Sequence, residues 1–279
     1  MKRHIAIFCL AGLICFGANA QTDVDLGTEL GGRLAVSVDK KLARGLHVNV
    51  EEEIRFDNNF AAFDRFHTTV GVSYKVNDYL KIGAGYAWIL PYSTTDSTFK
   101  SSRHRLMVDV TGGVRVGDWR FSLRERFQAT VRTGSFNAYQ NPGTLLALKS
   151  RLKVQYKGLR RMEPYASLEL RNTLNAPSIN ASYNGTYYVF YDEETDSYSR
   201  SGEAGWFLDG FNKVYLNRLR GVLGVEYRLS KASTVDVSLM GDYVMDLVVD
   251  ANAEGTKLKS YTRETGFVGW LTVGYKYAF

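Results

Sequence analysis

The stretch that decides the fold is LTVGYKYAF, residues 271–279 at the end of the chain. Large apolar or aromatic side chains occupy every second position, and small or polar residues lie between them. Because successive side chains of a β-strand point to opposite faces, this period of two predicts a strand with one apolar and one polar face. The apolar positions are Leu271, Val273, Tyr275, Tyr277 and Phe279.

The same period of two recurs along most of the chain from residue 28 onwards. It predicts eleven strands, each with an apolar face and a polar or charged face. A membrane barrel strand has this pattern, because it sends alternate side chains into lipid. Besides the terminal strand, the segments are 28–40, 46–56, 65–76, 79–92, 103–116, 119–132, 145–156, 166–171, 218–229 and 234–247.

The connections between these strands alternate between short and long. The short turns are 41–45, 77–78, 117–118, 157–162 and 230–233, and the longer segments are 57–64, 92–102, 133–144, 175–212 and 250–260. Short periplasmic turns and longer outer loops are the layout of an outer-membrane barrel. The longest loop, 175–212, is long enough to project as its own hairpin or to fold into the mouth.

The first twenty residues predict export. Lys2 and Arg3 form a basic start, residues 5–16 are an almost unbroken apolar run, and Ala18 and Ala20 supply small residues for cleavage. This is the pattern of a secretory signal peptide. The apolar run is shorter than the roughly 20 residues of a membrane-spanning helix. Cleavage would remove both cysteines, so we expect no disulfide in the exported chain.

The two ends of the chain together predict the compartment. A terminal strand that alternates and ends in Phe279 resembles the recognition signal of bacterial outer-membrane barrels. With the signal peptide, it predicts an all-β protein exported through the Sec pathway to the bacterial outer membrane. We expect a cleaved signal peptide over residues 1–20 and a single antiparallel transmembrane β-barrel over residues 21–279.

The strand count needs one further element. Single-chain bacterial barrels usually have an even number of strands, so we expect about twelve. One possibility is a short strand over residues 22–30 that turns at Gly31-Gly32, since Gly-Gly suits a tight hairpin. The other is an N-terminal segment that rises through the lumen.

The polar face of the strands would line the lumen, and it is rich in arginine. Rings of Arg and Lys favour the entry of anions, and Arg binds carboxylates through two parallel hydrogen bonds. This favours a small anion-preferring porin or diffusion channel for small anionic solutes such as acidic sugars. The candidate anion-binding residues are Arg103, Arg105, Arg115, Arg120, Arg124, Arg126, Arg151, Arg171, Arg218 and Arg220. The same face also carries Arg33, Arg55, Arg65, Arg132, Arg228, Lys75, Lys81, Lys149 and Lys153, with fewer acids.

A closed barrel is the alternative interpretation of this face. Charged side chains that pair across the lumen would fill it, as side chains fill many narrow barrels. The protein would then have a structural, adhesive or partner-binding role through its outer loops. A lipid-modifying enzyme is a weaker alternative, because the spacing of His67 and His104 from serine or acidic residues matches no catalytic pattern. We expect no catalytic residue, metal or cofactor.

Two acidic residues break the alternation. Glu52 and Glu125 fall on the apolar face, where a charge is destabilising. A β-bulge that shifts the register of the strand is the favoured explanation. A lipid-facing carboxylate with a chemical role is the alternative.

The expected partners follow from the barrel. They are outer-membrane lipid and lipopolysaccharide, the barrel-assembly machinery during insertion, and small anionic solutes. The net charge of +6 is attributed to lumen arginines, so it does not point to nucleic acid.

Four stretches resemble a family of Bacteroidota outer-membrane barrels known only as a domain of unknown function. They are residues 34–89, the RFSLRERFQAT strand at 120–130, the EPYASLELRNTLN strand at 163–175 and the NRLRGVLGVEYRLS hairpin at 217–230. The resemblance covers nearly the whole exported chain. It implies a barrel and a Bacteroidota-like origin, and it implies no activity and no functional residues.

Overall fold

The computed structural model describes residues 22–180, 188–192, 197–201, 207–255 and 258–279. The predicted signal peptide lies outside these residues. No helix in the described part of the chain is long and apolar enough to cross a membrane. The described strands are β1 (Thr22–Ala43), β2 (Leu46–Asp57), β3 (Ala62–Lys75), β4 (Leu80–Ser93), β5 (Thr98–Phe99), β6 (Arg103–Val116), β7 (Trp119–Arg132), β8 (Thr144–Tyr156), β9 (Met162–Asn180), β10 (Tyr188–Asp192), β11 (Ser197–Ser201), β12 (Phe207–Arg228), β13 (Ser233–Ala251) and β14 (Leu258–Ala278).

Eleven of these strands form the wall of one closed barrel. Their order around the wall is β1-β2-β3-β4-β6-β7-β8-β9-β12-β13-β14, and β14 pairs with β1 to close the ring. The two-residue strand β5 pairs with the end of β4 and brings the sheet to twelve strands. All eleven strands predicted from the alternation are present, and the prediction of an all-β barrel of about twelve strands is confirmed.

The closing pair differs from all the other pairs of the wall because it is parallel. The register of β1 against β14 runs from Thr22 beside Thr262 to Asp39 beside Ala278, with one irregularity between Asp25 and Thr28. The barrel therefore closes with an odd number of wall strands. Both alternatives for the N-terminal segment are wrong. β1 continues through Gly31 and Gly32 without a turn, and it pairs with β14 in the wall from Thr22 onwards instead of rising through the lumen.

The two glycines make room for aromatic rings instead of forming a turn. A Cβ atom at Gly31 would lie 2.4 Å from the ring of Trp270, and one at Gly32 would lie 2.8 Å from the ring of Phe60. Gly31 faces the lumen, and Gly32 faces outward. A glycine within a strand often marks such a close approach, so the Gly-Gly pair alone did not distinguish a turn from a packing site.

The barrel is apolar outside and polar inside. Leu223, Leu239 and Leu106 are 68%, 64% and 58% exposed on the outer face. The buried side chains of the lumen include Asp242, Glu169 and Arg33. Only a surrounding of lipid makes this arrangement favourable, and the closed wall leaves no strand edge unpaired within it. The fold is therefore that of a transmembrane β-barrel.

The terminal strand presents its alternating residues to the outside, as predicted. Leu271, Val273, Tyr275, Tyr277 and Phe279 are all exposed on the outer face. The backbone of Phe279 accepts a hydrogen bond from Lys41 N at 3.0 Å and donates one to Asp39 O at 3.0 Å. The last residue of the chain is thus bonded to β1 at the seam.

Glu52 and Glu125 lie on the outer face without any bulge. The register is unbroken around both residues, which pair with Thr68 and Ser150 on the neighbouring strands. Each carboxylate accepts a hydrogen bond from that neighbour's hydroxyl, at 2.5 Å from Thr68 Oγ1 and 2.6 Å from Ser150 Oγ. The expected bulge is therefore wrong, because a cross-strand hydroxyl satisfies each carboxylate in regular strand geometry.

The longest predicted loop is shorter in the structure and contains a hairpin. β9 extends to Asn180 and β12 begins at Phe207. Both strands are therefore longer than the predicted segments 166–171 and 218–229. Between them, β10 and β11 pair in antiparallel register from Tyr188–Ser201 to Asp192–Ser197. The prediction that this segment forms its own hairpin is confirmed for the described residues.

Candidate functional site

The register of the strands places basic side chains directly beside one another in the lumen. Lys149 on β8 pairs with Arg126 on β7 and with Arg171 on β9, and Arg171 pairs with Arg218 on β12. We call these four residues the long cation row. Arg55 on β2 pairs with Arg33 on β1 and Arg65 on β3, and these three form the short cation row.

The two rows lie on opposite walls of the barrel. Four strands separate β2 from β9 in one direction, and four separate β2 from β8 in the other. Like charges directly opposite each other destabilise a sheet. Two such rows facing a common space therefore require compensating negative charge.

Carboxylates supply part of this compensation. Asp242 accepts hydrogen bonds from Arg220 Nε at 2.6 Å and from Arg218 at 3.3 Å. Glu169 lies 3.4 Å from Arg124, 3.7 Å from Lys149 and 3.9 Å from Arg220. Asp109 lies 2.8 Å from Arg126, and Glu53 bonds Arg55. Asp242 and Glu169 are thus shared by several cations, whereas Asp109 is paired with Arg126 alone.

Several arginines remain without a carboxylate. Within the described part of the chain, no acidic oxygen lies within 4.0 Å of these side chains, which are Arg33, Arg103, Arg105, Arg132, Arg151 and Arg171. Arg33 stacks over Trp270. Arg105 donates from Nε to Thr130 Oγ1 at 3.0 Å. The lumen therefore has an excess of unpaired positive charge.

Arginines from both rows, from β6 and from β12 face the same lumen. Arg105 projects from β6, and Arg171 and Arg55 belong to the two different rows. Arg33 interacts electrostatically with Arg55 and Arg220. We call Arg33, Arg55, Arg105, Arg171 and Arg220 the arginine constriction. It receives side chains from five of the eleven wall strands, which are β1, β2, β6, β9 and β12.

A vestibule of about 620 Å³ lies between the constriction and the C-terminal end of the barrel. Glu53, Glu169 and Arg220 line its inner end. Its charges are largely paired. Lys153 lies 2.8 Å from Glu226, and Glu163 bonds both Lys157 and Arg228. The vestibule is therefore close to charge balance, in contrast to the constriction.

The ten candidate arginines fall into three groups. Seven line the central lumen: Arg105, Arg124, Arg126, Arg151, Arg171, Arg218 and Arg220. Arg103 lies beside Arg132 at the loop end, and Arg115 pairs with Arg120 at the short-turn end, where both are exposed. Arg33, Arg55 and Lys149 belong to the site but not to the predicted set. The alternation had placed them on the polar face, and only the register brings them into the two rows.

The histidines have structural partners. His67 in the lumen lies 3.6 Å from Glu53 and 3.4 Å from the Arg55 guanidinium. His104 on the outer face bonds Tyr86 Oη at 2.5 Å and contacts Ser102 Oγ at 3.5 Å. Among the described residues, no group of three His, Cys, Asp or Glu side chains has a geometry that would hold a metal ion.

Comparison with known proteins gives a family and several similar solved structures. A family model described as "Protein of unknown function (DUF2490)" matches residues 34–250. A search of curated proteins finds no match. The chain is similar to the NanC porin at 14% identity and a TM-score of 0.40, over 82% of this chain and 91% of that one. It is similar to OmpT, an outer membrane protein of Vibrio cholerae, at 14% identity and a TM-score of 0.33, over 80% of this chain and 57% of that one.

Proposed function

We propose that the chain, which belongs to the DUF2490 family, is a narrow channel of the bacterial outer membrane with a preference for small anions. The observation that carries this proposal is the excess of unpaired arginine at the constriction. Arg105 on β6 and Arg171 on β9 face the lumen and have no carboxylate oxygen within 4.0 Å in the described structure. A basic ring at a narrow point favours anions over cations.

The constriction also sets the expected size of the conductance. Its side chains come from five of the eleven wall strands, and two of them are held by ion pairs, Arg55 with Glu53 and Arg220 with Asp242. A passing anion has to replace contacts of this kind or move between them. We therefore expect small unitary currents, well below those of wide porins with water-filled lumens.

The location in the outer membrane is part of the proposal. It is supported by the apolar outer face, by the predicted signal peptide and by the exposed terminal strand that ends in Phe279. Export through the Sec pathway, contact with lipopolysaccharide and insertion by the barrel-assembly machinery belong to the same proposal. No catalysis is assigned to His67 or His104, and an activity that is lost in H67A or H104A would reverse this.

The test is single-channel recording of the purified protein in a planar bilayer under a KCl gradient. We expect steady openings and a reversal potential closer to the equilibrium potential of chloride than to that of potassium. The R105E variant should move the reversal potential toward the equilibrium potential of potassium. R115E is the matched control, because it makes the same charge change at the exposed end of the lumen, and it should have a smaller effect. A reversal potential closer to the equilibrium potential of potassium in the native protein would overturn the proposal.

A closed barrel is the second candidate, and the packing of the constriction favours it. Asp242 is 1% exposed, and its carboxylate is held by two arginines. Such ion pairs fill the lumen of narrow barrels. Absence of current from protein whose mobility on a gel shifts on boiling would support this candidate and a role at the outer surface.

A further inference from the structure

We infer that one side of the short-turn end of the barrel binds the headgroups of anionic phospholipids. This surface, which we call the basic arc, consists of six exposed cations in three neighbouring turns and the strand ends beside them. They are Lys40, Lys41, Arg44, Arg160, Arg161 and Lys231, of which Lys231 also borders the vestibule. The inference goes beyond the proposed function, because it requires only that the barrel spans a bilayer and does not depend on any current.

Backbone hydrogen bonds join the three turns of the basic arc into one continuous surface. The turn between β8 and β9 meets the end of β12, where Arg228 N donates to Arg161 O at 2.8 Å. The turn between β12 and β13 is bonded in the same way to the end of β14. Lys41 N donates to Phe279 O at 3.0 Å and so connects the turn between β1 and β2 to the end of β14. The arc therefore follows the rim from β8 to β2 and crosses the parallel pair that closes the barrel.

The cations of the basic arc have no acidic side chain beside them. The three turns contain no Asp or Glu, and within the described ranges no side-chain carboxylate lies within 4.0 Å of the six side chains. The short turns on the other side of the rim are charge-balanced by contrast. Lys75 lies 2.6 Å from Asp78, and Arg115 lies 3.9 Å from Asp118. The uncompensated positive charge of the turns is therefore concentrated on one side of the barrel.

Exposed apolar side chains lie between these cations and continue the lipid-facing surface of the wall. They are Leu42, Leu159, Leu229 and Phe279. Lys40 Nζ lies 4.9 Å from the centre of the Phe279 ring, which is the last of the outer-face row on β14. A long cationic side chain at this level keeps its stem against apolar surface and its charge in the headgroup layer. The partner that this arrangement favours is lipid, because the arc is continuous with the surface that lipid covers.

The uncompensated charge of the basic arc selects the class of lipid. Basic side chains beside a bilayer attract anionic headgroups. Phosphatidylglycerol has a phosphate and no cationic group. Phosphatidylethanolamine has the same phosphate and also an ammonium group, which the arc repels. We therefore expect the arc to hold phosphatidylglycerol in preference to phosphatidylethanolamine.

Native mass spectrometry of the folded barrel, released from vesicles of phosphatidylglycerol and phosphatidylethanolamine in equal amounts, counts the lipids of each class that stay bound. We expect an excess of phosphatidylglycerol on the native barrel. K41Q/R44Q and R160Q/R161Q change two separate turns of the arc. Each should lower the ratio of bound phosphatidylglycerol to phosphatidylethanolamine by about five-fold for each lost cation, which corresponds to about 1 kcal/mol. K41R/R44K keeps both charges and should keep the ratio.

K75Q/R115Q is the matched control, because it removes two exposed cations from the same end of the barrel outside the arc. Its lipid ratio should equal that of the native barrel. Equal losses in the control and in the arc variants would mean diffuse attraction by the whole rim and would overturn the inference. Equal retention of the two lipids by the native barrel would also overturn it, and the arc would then be open to an acidic protein. Gel mobility before and after boiling confirms that each variant is folded, and the two arc variants test the inference independently of each other.

Discussion

The guanidinium carbon of Arg33 lies 4.4 Å from the centre of the Trp270 ring. The two residues belong to β1 and β14, the parallel pair that closes the barrel. The ring of Trp270 on β14 packs on Gly31 of β1, and Arg33, also on β1, covers the ring. This layered contact joins the first and last strands of the wall on the lumen side, where a cation over an indole ring adds about 0.5–2 kcal/mol.

Gly31 is expected to tolerate no side chain, because an added Cβ would meet both the Trp270 ring and the backbone oxygen of Phe56. A Cβ atom there would lie 2.4 Å from the ring, so Gly31→Ala should lower the free energy of unfolding by about 1–3 kcal/mol through overpacking. Urea unfolding followed by the gel mobility of unboiled samples measures this. Trp270→Ala in the same chain should remove the contact with the ring and relieve part of the loss, because the backbone oxygen of Phe56 would still lie 2.7 Å from the added Cβ. A double variant that loses as much as the two single variants together would contradict the explanation.

Asp242→Asn is expected to weaken the barrel and to strengthen its preference for anions. The change leaves Arg218 and Arg220 without their shared carboxylate. Removing one partner of a buried ion pair typically costs about 3–5 kcal/mol. Urea unfolding gives the stability, and the reversal potential gives the selectivity. Glu226→Gln, which changes a more exposed acid in the vestibule, should have a smaller effect on both.

The lipid-facing carboxylate of Glu52 is expected to depend on Thr68. Thr68→Val removes the hydroxyl that donates to it and should destabilise the barrel by about 1–3 kcal/mol, since the acceptor is left unsatisfied. The double variant Glu52→Leu with Thr68→Val should recover the loss. The pair of Glu125 and Ser150 has the same geometry and provides an independent repeat. Equal stability of Thr68→Val and the native protein in lipid would refute the expectation.

Phe279→Ala is expected to reduce the amount of folded protein in the membrane. Phe279 is exposed at the end of the terminal strand, and Lys40 lies over its ring at 4.9 Å. The ratio of unboiled to boiled bands in membrane fractions reports folding. Phe127→Ala removes a ring that is also exposed on the outer face but is far from the chain end. Equal losses in both variants would indicate a general effect of surface aromatics.

Much of the fold could be predicted because the barrel uses a local pattern. A period of two assigns each side chain to one face without knowledge of its neighbours. Leu271 and Arg105 were placed correctly in this way. The exceptions arose where a residue's role depended on a distant one. The Gly31-Gly32 pair is compatible with a turn in one of the two alternatives for the N-terminus, because nothing local shows that Trp270 needs the space.

For the candidate site, the sequence predicts which charged residues face the lumen and does not predict which of them are neighbours. Alternation placed Arg55 and Lys149 on the polar face, but it did not show which cations are direct neighbours. A shift of one residue in register moves every side chain to the other face, and a shift of two changes all its partners. The two cation rows are therefore properties of the pairing. Similarly, the acids that compensate Arg218 and Lys149 come from other strands, and no sequence spacing links them.

The parallel pairing of β1 and β14 places the two ends of the barrel chain on opposite sides of the membrane. Because β1 and β14 run in the same direction, Thr22 and Phe279 lie at opposite ends of the wall. In a barrel with an even number of wall strands, the first and last strands would be antiparallel and these ends would share one face of the membrane. Here a peptide tag placed before Thr22 would be displayed in one compartment and a tag placed after Phe279 in the other. Assembly must therefore carry one of these two ends across the bilayer and leave the other on the side from which the chain entered.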